Sequence, residues 1–304
     1  MKREKILIIG GTGFIGYHLS KFLISKNYKV TSLSTKPPSK NNKVIGVKYL
    51  FSDIVDFKNL NIGKENYQYV VNLSGYVDHS NNKLTYNTHY IGCVNLYEKL
   101  KKKKLKKFIQ IGSSLEYGNL LSPQKERQVK RLKLNSVYSR SKLLATKFLQ
   151  KKHKENNFPV TIIRAYQIYG PNQKTNRLIP FVIKNCLNNK SFKCSDGSQL
   201  RDFLYVDDFI NGIYKILKKK RNLDGEIINL GFGIPQSVKY VIKLIHKYLK
   251  KGTPIFGKIK LRKDENIIMY PSIKKANDLL QWKPKISLEN GLKKTINYFK
   301  QELI

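Results

Sequence analysis

Acidic residues are scarce in this 304-residue chain: 20 Asp and Glu face 59 Lys and Arg, a formal net charge of +39. Such an excess invites a nucleic-acid or membrane-surface reading. A second scarcity weighs against it. Only nine of the basic residues are arginine, the side chain whose planar fork suits phosphate and base edges. Alanine occurs just three times, while Asn and Ile abound. The lysine excess therefore reads as a compositional bias that leaves a solvated surface, and no nucleic-acid partner is expected. The densest patch, Lys101–Lys104 with Lys106 and Lys107, fits the cationic end of a helix, which the helix dipole favours. An RNA or membrane-surface contact there is the alternative.

Cysteine is equally sparse. Cys93, Cys186 and Cys194 are odd in number and lack metal-ligand spacing, so no metal is expected and a reducing, cytoplasmic setting fits. No run of about 18 apolar residues is present to span a bilayer, so no integral membrane contact is expected. The short apolar run after Met1-Lys2-Arg3-Glu4-Lys5 is cut by Gly10, Gly11 and Gly13. It reads as the first strand of a folded domain and not as a signal peptide.

What is present is an alternation of strands and helices. Apolar runs over Lys5–Ile9, Lys29–Leu33, Val47–Phe51, Tyr69–Leu73, Phe108–Gly112 and Val160–Arg164 read as strands. Helical spacing marks Phe14–Ser25, Lys83–Leu100 and Val137–Asn156. Buried runs alternating with helices predict an α/β fold with a parallel sheet covered on both faces. After Arg164 the pattern loosens into helices at 179–188, 207–219, 237–249 and 288–299 with short strands between. The expected architecture is a doubly wound Rossmann-type domain over 1–165. A smaller α+β lobe follows over 166–304, some of whose segments return to the first domain.

The turn Gly10-Gly11-Thr12-Gly13-Phe14-Ile15-Gly16 joins the first strand to the first helix. Glycines there permit a tight turn and close approach of a pyrophosphate, and the helix N-terminus supplies unbonded N–H groups and a positive dipole end. After the second strand an NAD binder carries an acid for the ribose hydroxyl. This chain has no Asp or Glu between Tyr17 and Ser52, and Ser34-Thr35-Lys36 stand in the acid's place. Hydroxyls and a lysine suit a 2′-phosphate, so NADP(H) is favoured, with NAD(H) as the alternative. Asp53 is a candidate adenine contact and helix cap. Further on, Tyr138 and Lys142 lie four apart on one helix face. An ammonium beside a phenol lowers the phenol's pKa and fits it for proton transfer at a carbonyl or hydroxyl. Ser113 or Ser114, at the end of the fifth strand, would orient the substrate oxygen.

With these residues in view, the sequence resembles the nucleotide-sugar epimerase/dehydratase family within the extended short-chain dehydrogenases/reductases. The resemblance runs nearly end to end. It takes in the glycine loop, Asp53-Ile54, Gly112-Ser113-Ser114 through Tyr117-Gly118, Tyr138/Lys142, Arg164, and Tyr169-Gly170-Pro171. It continues through Gly197 to Arg201-Asp202-Phe203, Asp207-Asp208, Asn229 through Gly233, and Trp282-Lys283-Pro284. It implies Ser113, Tyr138 and Lys142 as the catalytic set. Cofactor contacts are implied from Gly10, Gly13, Phe14, Ile15, Gly16, Ser34, Thr35, Lys36, Asp53, Ile54 and Leu73, besides Tyr138 and Lys142. Substrate contacts are implied from Ser114, Asn176, Arg177, Arg201 and Arg262, the last two clamping a diphosphate with guanidinium forks. A nucleotide-sugar substrate and a homodimer follow from the same resemblance.

The departures narrow the reaction. Where 4,6-dehydratases of the family carry Thr-Asp-Glu, this chain has Ser113-Ser114-Leu115. Leucine transfers no proton, and Glu116 stands one place too late, so dehydration is not expected. His89 occupies a position where relatives carry Asn, three residues before Gly92. His79 is a candidate for the site entrance or for polar surface. Reduction of a 4-keto nucleotide sugar by NADPH is favoured, since the run from Gly112 to Gly118 also resembles reductases of the CDP-abequose-synthase type that serve glycan assembly such as O-antigen. NAD-dependent 4-epimerisation is the alternative. A catalytically silent relative that binds RNA or a partner is the reading from a different class.

Overall fold

The computed structural model describes residues 3–76, 80–127, 132–219, 223–261 and 265–302. The chain divides into two compact units. Unit 1 takes residues 1–118, 130–165 and 210–228, and unit 2 takes 119–129, 166–209 and 229–304.

In unit 1, strands β1 (Lys5–Ile9), β2 (Lys29–Ser34), β3 (Lys48–Phe51), β4 (Tyr69–Asn72), β5 (Lys107–Ser113) and β6 (Val160–Ala165) pair in parallel. The sheet has seven strands in the order 227–230, β6, β5, β4, β1, β2, β3. This is the Rossmann-type doubly wound sheet that the alternating pattern predicts. Helices α1 (Phe14–Ser25), α2 (Asn82–Tyr86), α3 (Gly92–Lys99) and α4 (Val137–Asn156) supply the crossovers. The inner strands are rich in apolar residues because both faces of the sheet are covered there: Ile6, Leu7 and Ile8 of β1 are wholly buried. Leu7, Ile9, Val70, Phe108 and Val160 join Leu96, Ala145 and Leu149 of the helices in one core cluster.

Local chemistry sets the helix ends. The α4 helix starts at Ser136, whose hydroxyl accepts from Ser139 N while the Ser139 hydroxyl faces the Ser136 N–H, a reciprocal cap that satisfies two donors. It stops at Asn157 with φ 51, a left-handed conformation that asparagine tolerates. The expected single helix over 83–100 is broken: residues 87–91 form a π-turn between α2 and α3. The lysine run follows α3 as a short 3-10 turn over Lys102–Lys104. There Lys102 Nζ lies 4.3 Å from the Tyr97 ring centroid and Lys101 Nζ donates to Lys64 O.

Unit 2 is built from short strands in small sheets. Gln167–Tyr169 pairs in parallel with Phe203–Tyr205. Leu200–Arg201 lies between Gln236–Ser237 and Ile268–Met269, and Ser191–Lys193 pairs with Thr253–Ile255. Helices Leu178–Leu187, Val238–Leu249, Lys274–Leu280 and Leu288–Gln301 belong here, and Lys274–Leu280 has no counterpart in the sequence reading. Among the described residues, no helix is long and apolar enough to cross a membrane.

Candidate active site

The parallel sheet changes direction of winding between β1 and β4, the kind of switch point beyond whose strand ends ligands bind in such sheets. The glycine loop lies at this point. Gly10 has φ +77, and any Cβ at Gly16 would strike the Gly10 carbonyl and the Gly11 backbone. The α1 helix starts at Gly13 with no side chain bonded to its first N–H groups, so the first turn, Phe14-Ile15-Gly16, presents donors to an anion. The loop is tied to β2 by Gly10 N donating to Leu33 O at 2.7 Å and Thr12 N donating to Ser34 Oγ at 3.2 Å. Ser34 thus braces the loop, while Thr35 and Lys36 stand exposed just beyond it.

The remaining expected cofactor residues gather along the same edge. Leu73, which follows β4, brings its carbonyl against Gly10. Asp53 follows β3, is exposed, and accepts from Val55 N at 2.9 Å, a local turn that leaves its second oxygen outward. Ile54 is buried over Gly92, where a Cβ would meet its side chain, and Asn95 Nδ2 holds the Ile54 carbonyl at 2.9 Å. A glycine cradle, an open helix N-terminus and a flanking strand end fit a dinucleotide.

Of the expected proton-transfer residues, Ser113 and the Lys142 ammonium lie at the end of β5, and Tyr138 neighbours Lys142 on α4. Lys142 is buried, and its Nζ donates to Ile111 O of β5 at 2.8 Å. The same Nζ lies 6.0 Å from the Tyr138 ring centroid. Burial pushes the Lys142 ammonium down to about 8, against the opposing pull of Glu116 and Cys93. Ser113 ends β5, and its hydroxyl oxygen accepts from Leu115 N at 3.2 Å, which leaves its own O–H to donate. Ser114 is buried in the turn after it.

Glu116 is wholly buried. One oxygen accepts from Ser113 N at 2.8 Å. The other accepts from Thr146 Oγ1 at 2.8 Å and from Arg164 Nε at 3.1 Å. Arg164 also lies over the Tyr117 ring, 4.2 Å from its centroid. Glu116 therefore binds β5, α4 and β6 together under Ser113. Sequence reasoning weighed it only as a displaced acid and missed this role. Its place three residues after Ser113, the spacing of a capping box, was the available signal. His89 is buried within the π-turn, with its ring edge-to-face with Tyr138 at 4.9 Å.

Within unit 2, Arg201 is buried. Its guanidinium donates to Leu200 O and Ile267 O and pairs with Glu265 at 2.7 Å. It lines a pocket of about 430 Å³ with Leu178, Phe181, Val182, Lys193, Gln199, Lys260 and Glu265 among others. The apolar and cationic walls were not legible in the sequence, because they come from segments scattered between 167 and 265. Asn176 and Arg177 are exposed before the helix at 178 and are not among the pocket's lining residues. Arg262 and His79 lie outside the described residues. Asp202 and Trp282, which carried the resemblance, serve the fold. Asp202 accepts from Phe232 N and Gly233 N, and Trp282 Nε1 donates to Asp208 O at 3.2 Å.

Known proteins resemble the chain nearly end to end. The chain is 26% identical to the CDP-abequose synthase of Salmonella muenchen over 299 residues, 97% of each chain. It superposes on the UDP-glucose 4-epimerase of Thermotoga maritima, solved with UDP-glucose, with a TM-score of 0.90 and 26% identity, over 99% of this chain and 100% of that one. The UDP-glucuronic acid 4-epimerase of Bacillus cereus, solved with UDP-glucuronic acid and NAD, gives a TM-score of 0.85 at 29% identity over 98% and 99%. Residues 6–231 match the NAD dependent epimerase/dehydratase family. With the glycine cradle, the doubly wound sheet and a match over most of its length, the chain belongs to the NAD-dependent epimerase/dehydratase family of enzymes.

Proposed function

We propose that the protein reduces a 4-keto nucleotide sugar with NADPH. The observation that carries this reading is the Tyr138/Lys142 pair at the end of β5, in a chain whose β2 ends without an acid. Thr35 and Lys36 are exposed beside the glycine loop, where an ammonium favours a 2′-phosphate. When bound, the dinucleotide supplies the hydride. The chain's own groups do the rest. Ser113 donates its hydroxyl to the keto oxygen, and Tyr138 gives that oxygen a proton as charge develops on it. Lys142 remains an ammonium below about pH 8 and so stabilises the phenolate that Tyr138 leaves behind. The pocket around Arg201 takes the nucleotide diphosphate, its guanidinium and lysines facing the phosphates. Likeness to two 4-epimerases supports a second reading, 4-epimerisation with retained NAD.

The test is fluorescence titration of the purified protein with NADPH and NADH, together with identification of any copurifying dinucleotide. At least tenfold tighter NADPH binding, with NADPH consumed when a 4-keto nucleotide sugar is added, is the expected result. Tightly retained NAD without preference for NADPH overturns it in favour of the epimerase. Tyr138→Phe is expected to slow turnover by about 10²–10⁴-fold with cofactor binding intact.

A further inference from the structure

Within unit 1 the crossover after β4 departs from a regular helix at one place, residues 87–91, where it widens into a π-turn. Such turns insert an extra residue and re-aim a side chain. The side chain re-aimed here is His89, which is buried. Its ring fits because residue 75 is glycine: a Cβ there would stand 2.9 Å from His89 Cε1. Its Nε2 lies 3.3 Å from the Tyr76 carbonyl oxygen. A carbonyl oxygen only accepts, so Nε2 carries the hydrogen, and the ring's rotation and tautomer are set from that side. The ring then meets Tyr138 edge-to-face, at 4.9 Å between centroids and 87° between planes. Tyr138 also has Lys142 beside it, with Nζ 6.0 Å from the ring centroid and fixed to Ile111 O. The Tyr138 ring thus neighbours both an imidazole and an ammonium that are fixed by backbone carbonyls.

We propose that His89 is a positioning residue that holds the Tyr138 ring in register with Lys142, through the aromatic edge contact. The inference rests on the reading of Tyr138 as the proton-transfer group. Ammonium stabilisation of a phenolate weakens as the two charges separate, so a phenol released from the His89 contact titrates nearer to the ordinary tyrosine range. The titratable groups that act on Lys142 are Glu116 on the turn after β5 and Cys93 on α3, and neither these nor Lys142 is changed in the variants below.

The experiment is a near-ultraviolet titration of phenolate absorbance in the full-length chain, with the Tyr138→Phe curve subtracted so that only Tyr138 is read. His89→Ala and His89→Asn are expected to raise the Tyr138 midpoint by about one pH unit, a tenfold change in its acid constant. His89→Phe keeps an aromatic edge and is expected to restore most of the wild-type midpoint. An unchanged midpoint in His89→Ala or His89→Asn overturns the proposal. So does a His89→Phe curve displaced as far as that of His89→Ala, which would assign the effect to the ring nitrogens. Loss of the folded state in both the Ala and Asn variants makes His89 a structural residue and also overturns it. A wild-type difference curve with no titration below the ordinary tyrosine range is a separate result, which removes the Tyr138 reading itself.

Discussion

In unit 1 the carboxylate of Glu116 lies wholly buried against a cation, Arg164, with Thr146 Oγ1 and Ser113 N completing its bonds. In unit 2 Asp202 and Asp208 are also buried, but they accept from backbone N–H groups. Asp202 takes those of Phe232 and Gly233, and Asp208 takes those of Lys285 and Ile286. The difference follows from what each unit has to fix. In unit 1 the seven-stranded sheet already sets the chain path, and the buried charge joins two finished strands and a helix beneath the site. Strands of two or three residues set little in unit 2, and a carboxylate that gathers N–H groups from a distant segment fixes a loop that no ladder holds.

Removing each carboxylate sharpens that contrast. Glu116→Ala strands the Arg164 guanidinium in the interior, and breaking a buried pair in this way costs about 3–5 kcal/mol. The expected loss appears as a lowered urea midpoint followed by circular dichroism. Asp202→Ala leaves two backbone N–H groups without acceptors, an expected loss of about 2–4 kcal/mol. Asp202→Asn keeps one acceptor and loses less. Trp282 is the only tryptophan and lies buried in unit 2, so its fluorescence reads the Asp202 variants. A loss for Asp202→Ala greater than that for Glu116→Ala would break the comparison, since loops would then depend on their pins more than the site's foundation depends on its ion pair.

The same contrast explains how far the sequence could be read. Most strands and helices of unit 1 were legible because their buried runs and helical spacing are continuous in the chain. Lys5–Ile9, Phe14–Ser25 and Val137–Asn156 are found where periodicity places them. The glycine loop was legible because a tight turn restricts residue type locally. The π-turn at 87–91 was not, since an apolar pattern does not register one extra residue inside a helix. In unit 2 the helices starting at 178, 238 and 288 were legible from their spacing and Lys274–Leu280 was not; nor was the Arg201 pocket, whose walls come from segments far apart in the chain. Exposure separated Arg201 from Arg177, and a sequence gives no burial for a lone arginine.

Lys142 lies between the two kinds of buried charge, and it gives the smallest expected stability effect and the most informative one. Its ammonium has a carbonyl partner and the nearby Glu116 carboxylate, yet burial still dominates and lowers it from 10.5 to about 8. That fall corresponds to about 3 kcal/mol by which the folded state disfavours the charged form. The unfolded lysine keeps its proton up to about 10.5 and the folded one only to about 8. Wild-type stability therefore drops as pH falls from 10.5 to 8, and the full cost is present below 8. Lys142→Met removes the charge and keeps most of the volume, but loses the bond to Ile111 O, worth about 1 kcal/mol. The variant is expected to be about 1–2 kcal/mol more stable than wild type at pH 7, with the advantage shrinking as pH rises through 8 toward 10.5. Turnover is expected to be lost. Urea titrations of both proteins across that range decide it. A pH-independent gap, or a variant less stable at pH 7, would mean that Lys142 is as well compensated as Arg164, and hence a structural cation and not one held at a cost for chemistry.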